Sequence, residues 1–250
     1  MENLLDAVAE HLATARRILF ITGAGISADS GLPTYRGIGG LYEGNLTEDG
    51  YSIEDALSGE MLRRHPEITW KYLAQIEANC RGAGPNAAHA AIAKLEEEFA
   101  SVLVFTQNID GLHQAAGSRN VIEIHGDLHR LLCTACGLRE QIESLEGRSI
   151  PPKCPACGAV MRPEVVLFGE TLPQEAMERF YDELEEGFDL VFSVGTTSVF
   201  PYIAQPVVWA ARAGIPTVEI NPGQTTVSDY VDYKLPLGAA NALTALMARL

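Results

Sequence analysis

Cys133-x2-Cys136 and Cys154-x2-Cys157 constrain this chain more than any other feature. The two pairs, separated by residues 137–153, have the spacing of a four-thiolate zinc site. Four thiolates close a zinc tetrahedron and leave no position for substrate, so such a site is structural. Pro155 and Gly158, at the second pair, suit the turn of a zinc knuckle. Four reduced core cysteines would need neither that spacing nor those turn residues. A fifth cysteine, Cys80, ends a helical pattern just before Arg81-Gly82-Ala83-Gly84 and reads as a bystander thiol. Metal-spaced cysteines with one left over predict a reducing compartment, and so a cytoplasmic protein, rather than a disulfide scaffold.

On both sides of this module the pattern is α/β. Leu4, Leu5, Val8 and Leu12 recur at helical spacing. Arg17–Thr22, Val102–Phe105, Val121–Ile124, Asp189–Val194 and Thr217–Ile220 are short apolar runs of the kind that form doubly buried strands. Asn86 is placed to cap a helix whose face is Ala88, Ala91, Ile92 and Leu95. A last helix is expected through Leu243, Leu246, Met247 and Leu250. Strands alternating with helices predict a parallel sheet covered on both faces. The cysteine module and a stretch from about Gly37 to Gly84 interrupt that alternation and read as two insertions forming a smaller second lobe.

Charge and hydropathy exclude some functions. A net charge of −15 argues against a nucleic-acid binder, which needs a basic face. It suits solubility and, more weakly, basic peptide ligands. Glu2, Asp6 and Glu10 predict that the first helix is no secretory signal, and no apolar run is long enough for a membrane span.

The chemistry-bearing residues follow the strands. Gly23-x-Gly25-x-x-Ala28 directly follows the first strand and matches a dinucleotide-binding turn, with a following helix N-terminus expected to attract pyrophosphate. A ligand-free tight turn would also use those glycines. The second strand ending in an acidic residue about 20 positions on, expected of a dehydrogenase, is missing; Glu43, Glu48 and Asp49 stand there in irregular sequence. Gln107, Asn108 and Asp110 follow another strand and could meet ribose hydroxyls or an amide, or form an Asx turn with a helix cap. His125 follows a third strand, where it is either a general base or a structural histidine. Gly195-Thr196-Thr197-Ser198 and Asn221-Pro222-Gly223 follow two more. Ligands bind at the carboxyl ends of strands in open α/β sheets, so these loops predict one shared site.

Taken together, these segments resemble the sirtuins, NAD-dependent protein-lysine deacylases. The matching stretches are Gly23-Ala24-Gly25-Ile26-Ser27-Ala28-Asp29-Ser30-Gly31-Leu32-Pro33-Thr34-Tyr35-Arg36-Gly37, Thr106 to His113, Ile124-His125-Gly126, both cysteine pairs, Phe168-Gly169-Glu170, Gly195-Thr196 and Ile220-Asn221-Pro222. The resemblance implies one catalytic domain over 1–250. Residues 1–38, 84–127 and 162–250 would form a Rossmann-like large lobe. A helical module (39–83) and a zinc-ribbon module (128–161) would form the small lobe.

The resemblance also implies roles. His125 and Asn108 would be catalytic. Gly23, Ala24, Gly25, Asp29, Tyr35, Arg36, Gln107, Asn108, Asp110, Gly195, Thr196, Ser198 and Asn221 would bind NAD, which is consumed as a co-substrate. Val165, Phe168 and Gly169 would receive the peptide as an added strand. Cys133, Cys136, Cys154 and Cys157 would hold one structural zinc. The implied partners are acyl-lysine proteins or peptides, with neither nucleic acid nor membrane among them, and no oligomeric state is implied. In the implied reaction the acyl oxygen attacks the anomeric carbon of the nicotinamide ribose, and His125 then deprotonates a ribose hydroxyl, leading to free lysine and O-acyl-ADP-ribose.

Some positions depart from the family pattern. Tyr35 stands where the family usually has Phe, and Asp29 where Glu is commoner. The branch that removes succinyl and malonyl groups carries a Tyr-x-x-Arg pair, for which Tyr72-Leu73-Ala74-Gln75 is the nearest match here. Gln cannot make the bidentate pair that Arg makes with a carboxylate, so Tyr72 and Gln75 imply deacetylation ahead of acidic-acyl removal. Three rivals remain: protein mono-ADP-ribosyl transfer from the same NAD cleavage, a non-catalytic NAD-sensing zinc module with no use for His125, and, weakest, a dehydrogenase.

Overall fold

The computed structural model describes residues 1–34 and 46–250. Tyr35 and Arg36, both expected at the NAD site, lie outside the described residues.

The chain opens with α1 (Glu2–Thr14) and β1 (Arg17–Thr22), followed by two 3-10 turns at Ala24–Ile26 and Ala28–Ser30. The helical insertion contains α2 (Ile53–Ala56), α3 (Gly59–Arg64) and α4 (Pro66–Cys80). The chain returns through α5 (Ala87–Glu98), β2 (Ser101–Thr106), α6 (Leu112–Ala115) and β3 (Val121–Glu123). The cysteine module is carried by β4 (Gly126–Cys133), β5 (Arg139–Gln141) and β6 (Met161–Val165). The closing elements are α7 (Gln174–Glu186), β7 (Leu190–Val194), α8 (Pro201–Arg212), β8 (Thr217–Ile220), β9 (Tyr233–Leu235) and α9 (Ala239–Met247).

The main sheet has strand order β3-β2-β1-β7-β8-β9, with every pair parallel. Its strands read as continuous apolar runs because both faces are covered. Alternate residues point to opposite sides: Ile18 and Phe20 join a core with α1, α5 and α9, whereas Leu19 and Ile21 join one with α7 and α8. The α5 cap is the expected one, with Asn86 Oδ1 accepting from the Ala88 N–H at 2.8 Å. Two expectations change. The glycine turn leads into 3-10 turns, and among the described residues no α-helix follows directly behind it. The last helix ends at Met247, and Leu250 is exposed rather than on its apolar face.

The smaller lobe is built on an antiparallel sheet of order β5-β4-β6. Both insertions share one apolar cluster: Ala56, Leu62, Trp70 and Leu73 pack with Leu128, Leu131, Met161 and Leu167. Trp70 is fully buried there, and its indole N–H donates to the Met161 carbonyl at 2.8 Å. Among the described residues no helix is long and apolar enough to cross a membrane.

Candidate active site

In the main sheet the strand order reverses between β1 and β7, the kind of switch point at whose carboxyl edge open α/β sheets bind ligands. The loops after β1, β2, β3, β7 and β8 wall one cleft of about 660 Å³, closed on the other side by α4 and residues 165–170 of the small lobe.

The β1 and β7 loops are joined backbone to backbone. Gly25 N–H donates to the Gly195 carbonyl at 2.8 Å, and Gly23 N–H to that of Val194 at 3.1 Å. Gly195 has φ +60°. The glycines are therefore required by contact between the loops, in addition to any approach of a ligand.

The β2 loop ties these loops to the rest. Gln107 Nε2 donates to Thr196 Oγ1 at 2.9 Å. Asn108 Nδ2 donates to the Gly23 carbonyl at 3.3 Å and to Ser27 Oγ at 3.2 Å. Ser27 in turn donates to Asp110 Oδ2 at 2.7 Å, while Asp110 Oδ1 accepts from the Leu112 N–H at 3.0 Å. Asp110 thus makes the Asx turn, and its second oxygen is held by Ser27, which lines the cleft with it. Beneath the floor lies a buried pair missed in the sequence: Thr22 Oγ1 donates to Thr106 Oγ1 and lies 3.0 Å from His113 Nε2. Burial drives the pKa of His113 down to about 3, so its ring is neutral.

His125 sits between the two sheets. The Ile124 N–H before it bonds to Thr106 in the main sheet, and its own carbonyl accepts from Val166 beside the small sheet. His125 Nδ1 lies 3.0 Å from the Gln107 carbonyl. A carbonyl only accepts, so Nδ1 carries the proton and the lone pair of the neutral ring is on Nε2. Nε2 lies 2.7 Å from the Tyr202 hydroxyl. Burial lowers the pKa of His125, with the Gln107 hydrogen bond opposing it. The ring is consequently neutral at pH 7 and able to take up a proton at Nε2. No sequence signal pointed to Tyr202, which lies beyond the β7 loop at the start of α8.

The cleft brings together Gly23, Ala24, Gly25, Asp29, Gln107, Asn108, Asp110, His125, Val165, Phe168, Gly169, Gly195, Thr196 and Asn221. Three expected site residues lie away from the cleft. Ser198 is buried behind the β7 loop at φ 54°, with its hydroxyl toward Ser193, and does not line the cleft. Neither Tyr72 nor Gln75 lines it: Tyr72 donates to Asp49 at 2.5 Å, and Gln75 is exposed. Helical periodicity instead turns Leu73, Ile76 and Cys80 into the cleft. Phe168 does line the cleft, but its N–H donates to Leu57 and its carbonyl accepts from Gly59, so an added peptide strand would need a neighbouring backbone donor. Burial, with Asp110 and Glu77 nearby, pushes the Cys80 thiol up to about 12, consistent with an unreactive bystander.

The four sulfurs of Cys133, Cys136, Cys154 and Cys157 all lie within 4.8 Å of one another. The Cys133–Cys157 and Cys136–Cys154 separations are 3.5 and 3.6 Å. A zinc tetrahedron with ~2.3 Å bonds to sulfur has edges of about 3.8 Å, so the quartet fits the ion. The N–H groups of Cys136 and Ala135 point at Cys133 Sγ and pull its pKa down to about 6, favouring the thiolate a metal needs. His129 is turned instead to Asp127, 3.5 Å away, and is no ligand.

Comparison with known proteins agrees with this geometry. The Sir2 family pattern matches residues 23–201. An NAD-dependent protein deacylase 2 of Pseudomonas aeruginosa is 54% identical over 92% of this chain and 91% of its own length. A solved complex of a Sir2 homologue with NAD superposes with a TM-score of 0.85 at 35% identity, covering 98% of this chain and 93% of that one. A Sir2 variant bound to a deacetylated p53 peptide and 3′-O-acetyl-ADP-ribose gives 0.86 at 31% identity, covering 98% and 97%.

Proposed function

This chain belongs to the Sir2 family, and from that premise we propose that its inter-lobe cleft uses NAD to remove acyl groups from protein lysine side chains, with nicotinamide and O-acyl-ADP-ribose as products. The observation that carries the assignment is the state of His125. It is neutral, with its proton on Nδ1, and its Nε2 lone pair meets the Tyr202 hydroxyl at the wall of the cleft that the strand-end loops enclose.

Each loop has a task in this reaction. The joined loops at Gly25 and Gly195 receive the dinucleotide, with Thr196 and Asn221 toward its adenosine half and Asn108 and Asp110 toward the nicotinamide ribose. The acyl-lysine enters between residues 165–169 and the apolar face of α4. Held there, the acyl oxygen reaches the anomeric carbon while water is kept out. After nicotinamide leaves, His125 Nε2 takes the proton of a ribose hydroxyl, whose oxygen attacks the acyl carbon; the lysine amine then leaves with a proton, and water adds to give the O-acyl-ADP-ribose. The zinc, held by the four cysteines, anchors the small lobe and stays outside the chemistry.

The lobe boundaries given above, basic acyl-lysine peptides as partners and a reducing cytoplasmic setting complete the proposal. The direct test is mass spectrometry of paired acetyl-lysine and succinyl-lysine peptides with and without NAD. NAD-dependent loss of acetyl with appearance of O-acetyl-ADP-ribose is the expected result. Transfer of ADP-ribose to protein without acyl loss would overturn it.

A further inference from the structure

The phenol of Tyr202 occupies the atom on which the proposed reaction depends. A neutral imidazole has one lone pair, here on Nε2, and the Tyr202 hydroxyl lies 2.7 Å from it. This is more than a surface contact. Phe200 and Tyr202 stack on each other, with centroids 5.5 Å apart and planes 13° apart. Both stand edge-on to the imidazole, at 89° and 79°. Pro201, at the first position of α8, fixes the backbone between them. The start of α8 is thus a rigid aromatic corner that places one hydroxyl against one nitrogen.

We propose that Tyr202 is the positioning residue of the base: it aims His125 Nε2 into the cleft and steadies the imidazolium that forms there.

The physical reason lies in the two-way chemistry of a phenol. Against the neutral ring, the Tyr202 O–H donates to Nε2. When a ribose hydroxyl presents its proton, the phenol turns its own away. The ribose hydroxyl takes the phenol's place on Nε2, its O–H bond breaks and an Nε2–H bond forms; once the ribose oxygen has bonded to the acyl carbon, the Tyr202 oxygen accepts from that N–H. The second bond is charge-assisted, and such bonds are roughly twice as strong as neutral ones. A partner that binds the charged form more tightly raises the pKa, so the phenol opposes the effect of burial and keeps the base effective near neutral pH. Among the described residues, the ring also meets the Gln107 carbonyl from the β2 loop and the apolar ring of Phe200. Asp110, a carboxylate that lines the same cleft, is engaged by Ser27 and by the Leu112 N–H.

The inference rests on the deacylase reading for its kinetics, but its first test does not. In the unliganded protein, a histidine NMR titration of Tyr202→Phe against the parent reads the His125 pKa without any reaction. The expected result is a fall of about half a unit to one unit, the worth of one hydrogen bond. In turnover, the acid limb of kcat/KM moves down with it and the plateau kcat falls several-fold. KM for NAD and the release of nicotinamide, which precedes the base step, stay at parent values. Phe keeps the stack on Phe200; if the variant does not fold, fluorotyrosine at position 202 keeps the shape but is a weaker acceptor, and it lowers the pKa in the same direction. A His125 pKa that stays constant or rises in these proteins overturns the inference, whatever the activity shows. A lowered pKa in a chain with no acyl release would uphold the positioning role and refute the deacylase reading instead.

Discussion

A Cβ added to Gly25 would lie 2.7 Å from the Cα of Gly195, closer than real Cβ atoms approach backbone. The loops after β1 and β7 therefore meet through two residues that cannot carry side chains. Gly25→Ala must push the loops apart and break the Gly25 N–H bond to Gly195. Overpacking of this kind costs about 1–3 kcal/mol. Calorimetric titration is expected to show NAD affinity lowered at least about tenfold, the equivalent of ~1.4 kcal/mol. Unchanged affinity would mean that the dinucleotide does not use this junction.

His125→Ala removes the base and leaves the nucleotide loops in place. Loss of a general base lowers turnover by about 10²–10⁴-fold. Nicotinamide release from NAD and acylated peptide should survive, because it precedes proton transfer. Following both products in one assay separates the steps, and loss of nicotinamide release together with turnover would contradict this order.

Replacing Cys133 by Ala opens the metal shell and removes a residue from the apolar cluster shared with α4. Zinc content by elemental analysis should fall, and Tm with it. A loss of ~3 kcal/mol corresponds to a shift of roughly 6–12 °C for a domain of this size. A zinc-free variant with parental Tm would show that the small lobe does not depend on the ion.

Acyl selectivity should follow the face of α4 that lines the cleft. Gln75→Arg, on the exposed face, is expected to leave the ratio of succinyl to acetyl removal as it was. Ile76→Arg puts a guanidinium in the cleft wall, where a bidentate bond to a carboxylate can form. Such charged hydrogen bonds are worth about 1.5–3 kcal/mol, so the ratio should rise roughly 10- to 100-fold. Competition between the two peptides measures it, and the reverse pattern would restore Tyr72 and Gln75 as the selecting pair.

Acid stability should depend on His113. Its folded pKa of about 3 lies below the unfolded value of ~6.5, so between those values the unfolded chain binds the extra proton. Stability is then full above about pH 6.5 and is lost as pH falls toward 3. This one group contributes a slope of up to about 1.4 kcal/mol per pH unit. His113→Gln, which cannot charge, should flatten the dependence of unfolding free energy on pH between 6 and 4, as read by urea denaturation. An unchanged slope would assign the acid sensitivity elsewhere.

What was legible in the sequence was mostly local. Arg17–Thr22 and Leu190–Val194 are apolar runs because both faces of the sheet are covered, and the loops after them carry the polar residues of the cleft. Cysteine spacing encodes a metal site because two short turns hold all four ligands. Illegible were the features set by which side of an element faces the cleft. Tyr72 and Gln75 lie on α4 as expected, but α4 is packed with Leu73 and Ile76 toward the cleft. Ser198 belongs to the right loop and points away from it. Tyr202 reaches His125 only because α8 starts beneath the β7 loop, a contact between residues far apart in the chain that no spacing rule contains.

The Trp70–Met161 bond and the apolar cluster around it join two excursions of the chain that leave the sheet separately, one before α5 and one after β3. Neither excursion has an inner surface of its own; each completes the other. Chimeras between relatives that exchange the α2–α4 segment alone, or the cysteine-bearing segment alone, would therefore pair surfaces never fitted to each other. Exchange of both together would carry the seam across intact, so the two segments are expected to be interchangeable between relatives only as a matched pair.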